Sequence, residues 1–79
     1  MTIRVKVELL PGLRPVRDER KFEIELREDA TVKELLLAAG FKEEEVGYLW
    51  PWIQKNRVPL YTVLKDSDKV VVGVPLGGG

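Results

Sequence analysis

Apolar and charged residues alternate at the start of the chain, with Ile3, Val5, Val7 and Leu9 interleaved by Arg4, Lys6 and Glu8. A period of two with one apolar face predicts a half-buried strand. Pro11-Gly12 ends it, and Leu13 to Glu19, with Pro15 and mixed charge, reads as a loop. Alternation resumes with Phe22, Ile24 and Leu26 among Lys21, Glu23, Glu25 and Arg27, a second strand. Antiparallel pairing would set its glutamates across from Arg4 and Lys6 on the solvent side, at roughly 0.2–1 kcal/mol per pair.

The period then changes. Thr31 with Glu34 three residues on is a capping box. Val32, Leu35, Leu36 and Ala39 follow as one apolar helical stripe. Gly40 suits the residue after the helix, with Phe41 placed to fold back on the last turn. Lys42 to Glu45 is a polar turn with room for one short helical turn. Tyr48 to Gln54 is aromatic-rich and strand-like, and Pro51 assigns it to an edge or broken strand. Asn56-Arg57 reads as a turn, and Val58 to Tyr61 as a short strand that Pro59 also places at an edge. Lys65-Asp66-Ser67-Asp68 is a turn rich in Asp and Ser. Val70, Val71 and Val72 form a run suited to a central strand.

The order β-β-α-β-(β)-β describes an α+β fold, the ubiquitin-like β-grasp. It has a mixed sheet of four to five strands with one main helix packed on one face. The last strand runs parallel to the first, a pairing that needs a long crossover such as the helix provides. The helix lays its stripe on the sheet because neither layer can be buried alone. Residues 1–73 make the domain, and 74–79 a flexible tail ending in Gly77-Gly78-Gly79.

Composition narrows the chemistry. The 79 residues suffice for one domain and contain no cysteine and no histidine. Disulfides, thiolate metal sites, cysteine nucleophiles and the commonest general base are thereby excluded. No EF-hand spacing is present. No paired-carboxylate constellation stands out, so an enzyme in its own right is disfavoured. Thirteen basic and thirteen acidic residues cancel, which argues against a nucleic-acid partner. No apolar run approaches the roughly 20 residues of a membrane span, and the N-terminus is no signal peptide. A cytoplasmic protein is expected. Residues 28–45 hold two basic and six acidic groups, so the helix region is acidic, either as a solvated face or for steering a partner. Arg14, Arg17 and Arg20 read as a solvent-facing basic loop. Trp50 and Trp52 share one side of their strand. They belong either to the core or, with Leu49, Pro51 and Ile53 competing for the other side, to an exposed docking patch.

Residues 56–72, Asn-Arg-Val-Pro-Leu-Tyr-Thr-Val-Leu-Lys-Asp-Ser-Asp-Lys-Val-Val-Val, followed by terminal glycines, resemble the ThiS and MoaD sulfur carriers of thiamine and molybdopterin synthesis. The family shows an Asn near a turn, Leu-Lys-Asp-Gly-Asp-x-Val, a valine-rich strand and a final Gly-Gly. The match runs over about residues 53–79 and is topological before that. Ser67 stands where the family usually has Gly, three glycines end the chain, and Trp50-Pro51-Trp52 is peculiar to it. The resemblance implies that the Gly79 carboxylate is adenylated by a ThiF/MoeB-like activating enzyme and converted to a thiocarboxylate. A sulfur-acceptor synthase then draws on it. The ATP is the partner's, and the chain itself binds no cofactor and is a co-substrate. Leu76, Gly77 and Gly78 would thread into the partner, where a Cβ would clash with closely approaching backbone. Two other readings remain: a ubiquitin-like modifier joined through Gly79 to lysines, and a non-conjugated interaction module. The plain reading of the glycines is a frayed end or an added linker.

Overall fold

The first two runs of alternation pair as expected. In a computed structural model describing residues 1–10 and 20–74, β1 (Thr2–Leu9) and β2 (Lys21–Arg27) are antiparallel. Arg4 lies opposite Glu25, Lys6 opposite Glu23 and Glu8 opposite Lys21. The inward residues of β1 are buried, and Phe22, Ile24 and Leu26 of β2 pack against them. The loop expected over 13–19, with Arg14 and Arg17, lies outside the described residues. So does the tail from residue 75 on.

Helix α1 (Val32–Ala39) shows why the chain turns helical where it does. The Glu34 amide donates to Thr31 Oγ1 (3.3 Å) and the Thr31 amide to Glu34 Oε1 (3.4 Å), closing the capping box. Two further amides of the first turn, Val32 and Lys33, donate to the carbonyls of Thr62 and Leu60 (both 3.0 Å). The donors that every helix start leaves unpaired are thereby satisfied. At the other end Gly40 is left-handed (φ 118°). The Gly40 amide bonds to the Leu37 carbonyl and the Phe41 amide to that of Leu36, a Schellman closure. Val32, Leu35, Leu36, Ala39 and Phe41 are buried against the sheet. A single turn, α2 (Glu43–Val46), follows and buries Val46.

Three more strands complete the sheet: β3 (Trp50–Ile53), β4 (Asn56–Arg57) and β5 (Lys69–Gly73), in the order β2-β1-β5-β3-β4. β5 is central. It runs parallel to β1, with Val70 opposite Val7 and Val72 opposite Leu9, and antiparallel to β3. Val70 and Val72 are fully buried beneath α1, whereas Val71 points to the open face and is half-buried.

Three expectations for residues 48–61 are corrected. First, β3 is flanked by β5 and β4 and is not an edge. Pro51 fits because its carbonyl accepts from the Val58 amide (3.0 Å). Its nitrogen therefore faces the β4 side, past Arg57, and no bond to β5 is lost. Second, the turn falls at Gln54-Lys55, both with positive φ (52° and 68°), while Asn56-Arg57 is strand. This is the φ pattern of a type I′ hairpin turn, usually signalled by Asn-Gly. Third, Val58–Tyr61 is not a strand. The Val58 amide is taken up by Pro51 of β3, the carbonyls of Leu60 and Thr62 are committed to the start of α1, and Val63 then forms an isolated antiparallel bridge with Thr31.

The Asp-rich turn is tied to β1. The Arg4 amide donates to Asp66 Oδ1 (2.9 Å), the Ser67 amide to the Arg4 carbonyl (2.9 Å), and the Lys65 amide to Asp68 Oδ2 (2.8 Å). No helix among the described residues is long and apolar enough to cross a membrane.

Candidate functional site: the open sheet face at the root of the tail

α1 covers one face of the sheet, and strand parity decides what the other face shows. On β2 and β1 it shows charge: Lys21, Glu23, Glu25 and Arg27 beside Arg4, Lys6 and Glu8. Lys69 at the start of β5 joins this half through an ion pair with Glu8 (3.1 Å). On β5 and β3 the face turns apolar. Val71 lies opposite Trp52, and Gly73 opposite Trp50.

The two tryptophans share the outward side, as expected, and are half-buried. They belong to the open face and not to the core beneath α1. Their rings meet edge to face, 6.1 Å apart at 79°, a geometry worth about 0.5–1.5 kcal/mol. The exposed Arg57 lays its guanidinium over the Trp50 ring, 3.8 Å from the centroid. At such a site a cation–π contact contributes about 0.5–1 kcal/mol.

Gly73 lets the patch close. A Cβ there would sit 3.0 Å from Leu10 Cδ1 and 3.5 Å from Trp52 Cζ3. Glycine thus leaves room for both Leu10 and Trp52 to close in over the end of β5. Leu10 continues the parallel pairing past β1, its amide donating to the Val72 carbonyl (2.9 Å).

Sequence reasoning named the two tryptophans and missed Leu10, Val71, Gly73 and Arg57 as their neighbours. The signal for Leu10 was its parity: after Ile3, Val5, Val7 and Leu9, an apolar residue at an even position points outward. Arg57 gave no signal, because its place depends on the hairpin turn lying at 54–55. Leu76, Gly77, Gly78 and Gly79 lie outside the described residues. Among those described, no cluster of acidic side chains could hold a metal ion.

What this arrangement can do is present an aromatic, partly cationic surface beside the point where the chain leaves the central strand. Interface cores favour Trp and Arg for this purpose.

No protein-family model matches the sequence, and no curated protein matches it. Solved structures do. Small archaeal modifier protein 1 from Methanosarcina acetivorans superposes with a TM-score of 0.75 at 24% identity, over 100% of this chain and 99% of that one. A Pyrococcus furiosus protein, described as a candidate molybdopterin converting factor subunit 1, gives 0.75 at 24% identity, over 94% and 99% of the two chains. A ubiquitin from Caldiarchaeum subterraneum gives 0.63 at 15% identity, over the full length of both. The chain has the β-grasp fold of ubiquitin-like proteins, and its structural neighbours include small modifiers and a molybdopterin converting factor subunit.

Proposed function

We propose that the chain is a sulfur carrier whose terminal carboxylate, on Gly79, is adenylated by a separate activating enzyme and converted to a thiocarboxylate. The observation that carries this reading is the placement of the tail's root. Central β5 ends at Gly73, directly opposite Trp50, so the chain leaves the sheet at the margin of an aromatic surface fit for docking. An ionised carboxylate is a poor electrophile, because its reference pKa of roughly 3.3–3.7 leaves it an anion at neutral pH. Attack by its oxygen on the α-phosphorus of ATP gives an acyl-adenylate and releases pyrophosphate. A sulfur nucleophile then displaces AMP. The chain supplies the carboxylate and the docking surface, and the partner supplies catalysis and ATP. A sulfur-acceptor synthase is the second partner, and thiamine or molybdopterin assembly the class of pathway served.

A second reading has its own support, since one of the similar structures is a protein named as a modifier. On that reading the adenylated Gly79 is passed to a lysine amine and ends as an amide. Intact mass spectrometry of the protein from its native host separates the two. A carrier shows a form heavier by the exchange of one oxygen for sulfur, and deletion of Gly78-Gly79 removes it. A modifier shows a ladder of conjugates abolished by the same deletion. A chain that continues beyond Gly79, or a truncated chain still fully active in the host, would overturn both.

A further inference from the structure

The sheet ends at β2, and its outer edge carries backbone donors and acceptors with no strand beside them among the described residues. The alternation of the ladder settles which ones. The Leu9 amide bonds to the Arg20 carbonyl and the Glu28 amide to the Met1 carbonyl. Residues in register with odd positions of β1 therefore turn their backbone inward to β1. The outward amides and carbonyls belong to Glu23 and Glu25, whose side chains are exposed on the open face. Lys21 and Arg27 flank them.

We infer that this edge receives an extended peptide segment of a partner protein, added as a sixth, antiparallel strand. The partner would carry two basic side chains at alternate positions opposite Glu23 and Glu25. The argument for basic residues is charge complementarity that β2 already displays. On its inner edge β1 presents Arg4 and Lys6 to Glu25 and Glu23, and Glu8 to Lys21. The outer edge offers the same charge series to a newcomer. Opposite charges directly across strands stabilise, and like charges destabilise.

The same series suits a second copy of the chain less well than a strand basic at both positions. A two-fold antiparallel pairing of β2 with itself about Ile24 sets Lys21 against Arg27 and Glu23 against Glu25. Shifting by two residues either way, which keeps the faces matched, sets Glu23 against Glu23 beside Lys21–Glu25 pairs, or Glu25 against Glu25 beside Glu23–Arg27 pairs, so each of these registers keeps a like-charge pair that a strand basic at both positions does not. Long charged edges of this kind deter self-association. They remain open to a strand of the opposite pattern, the mode in which main-chain bonds give affinity and alternate side chains give specificity.

The site does not depend on the tail. β2 and β3 are three strands apart, about 14 Å at the usual strand spacing. A segment on β2 would leave the tryptophan face open.

The test uses the whole folded chain and a capped synthetic peptide, Thr-Ile-Arg-Val-Lys-Val-Glu-Leu, copying residues 2–9. Titration followed by NMR and amide hydrogen exchange should slow exchange at Glu23 and Glu25, with β1 amides unchanged. Two control peptides keep the protein untouched. One has arginine and lysine replaced by glutamate, and glutamate by lysine. The other is N-methylated at its arginine and lysine. Each should bind about tenfold more weakly or worse. The inference is overturned if the charge-reversed peptide binds equally well, or if the changes fall on Trp50 and Trp52. No binding at millimolar peptide would also overturn it, as would protection of Glu23 and Glu25 that grows with protein concentration alone.

Discussion

Ser67 is an exposed serine held at φ 72°, where a residue with a Cβ costs about 1–2 kcal/mol. Its amide is anchored to the Arg4 carbonyl, so the turn cannot relax without releasing β1. Ser67→Gly should stabilise the fold by about 0.5 kcal/mol, the relief of strain exceeding the added freedom of the unfolded chain. Urea denaturation should show a higher midpoint at an unchanged slope, and a lower midpoint would show that the serine is preferred there. The geometry also explains why the ThiS and MoaD carriers usually have glycine at the corresponding place. Gln54 and Lys55 are the opposite lesson. They take left-handed conformations with neither Gly nor Asn to announce them, so the local pattern points two residues too far on, to Asn56-Arg57.

Elements were legible where one periodicity and its caps agreed. β1, β2 and α1 each carry an apolar face of the right period and residue-specific ends, and all three lie where the pattern puts them. The strand expected over Val58 to Tyr61 does not form because the role of this stretch is tertiary: Leu60, with Thr62 just beyond it, lends a carbonyl to the first turn of α1, which no local pattern records. Thr31 joins both devices, since its side chain caps α1 and its backbone bridges to Val63. Thr31→Ala should cost about 1 kcal/mol, within the usual 0.5–2 for a lost N-cap. Thr31→Ser, which keeps the hydroxyl, should recover most of it. Thermal melts of the two variants check this, and equal losses would assign the effect to packing of the methyl group.

At the scale of the molecule, one open face is divided between a charged half on β2 and β1 and an aromatic half on β5 and β3. The division was half visible beforehand. The paired tryptophans stood out, whereas their place beside the end of the central strand required the order of strands. If the aromatic half docks the activating enzyme, Trp50→Ala and Trp52→Ala should each weaken that association about tenfold or more, with the fold retained by circular dichroism. Arg57→Ala should have a smaller effect and alter tryptophan emission, because the guanidinium leaves the Trp50 ring. Unchanged affinity in all three variants would place docking elsewhere and leave the tail chemistry to be judged separately.

The parallel pairing of β1 with β5 has a mechanical consequence. A pull on the tail is delivered to β5 along its own length, while β1 and β3 grip it from both sides. Tension from that end loads the flanking ladders in shear, so their bonds share the force and must yield together instead of unzipping one by one. On the proposed reading, in which a partner draws the glycines into its active site and lets them go, the body that bears them would stay intact through each cycle.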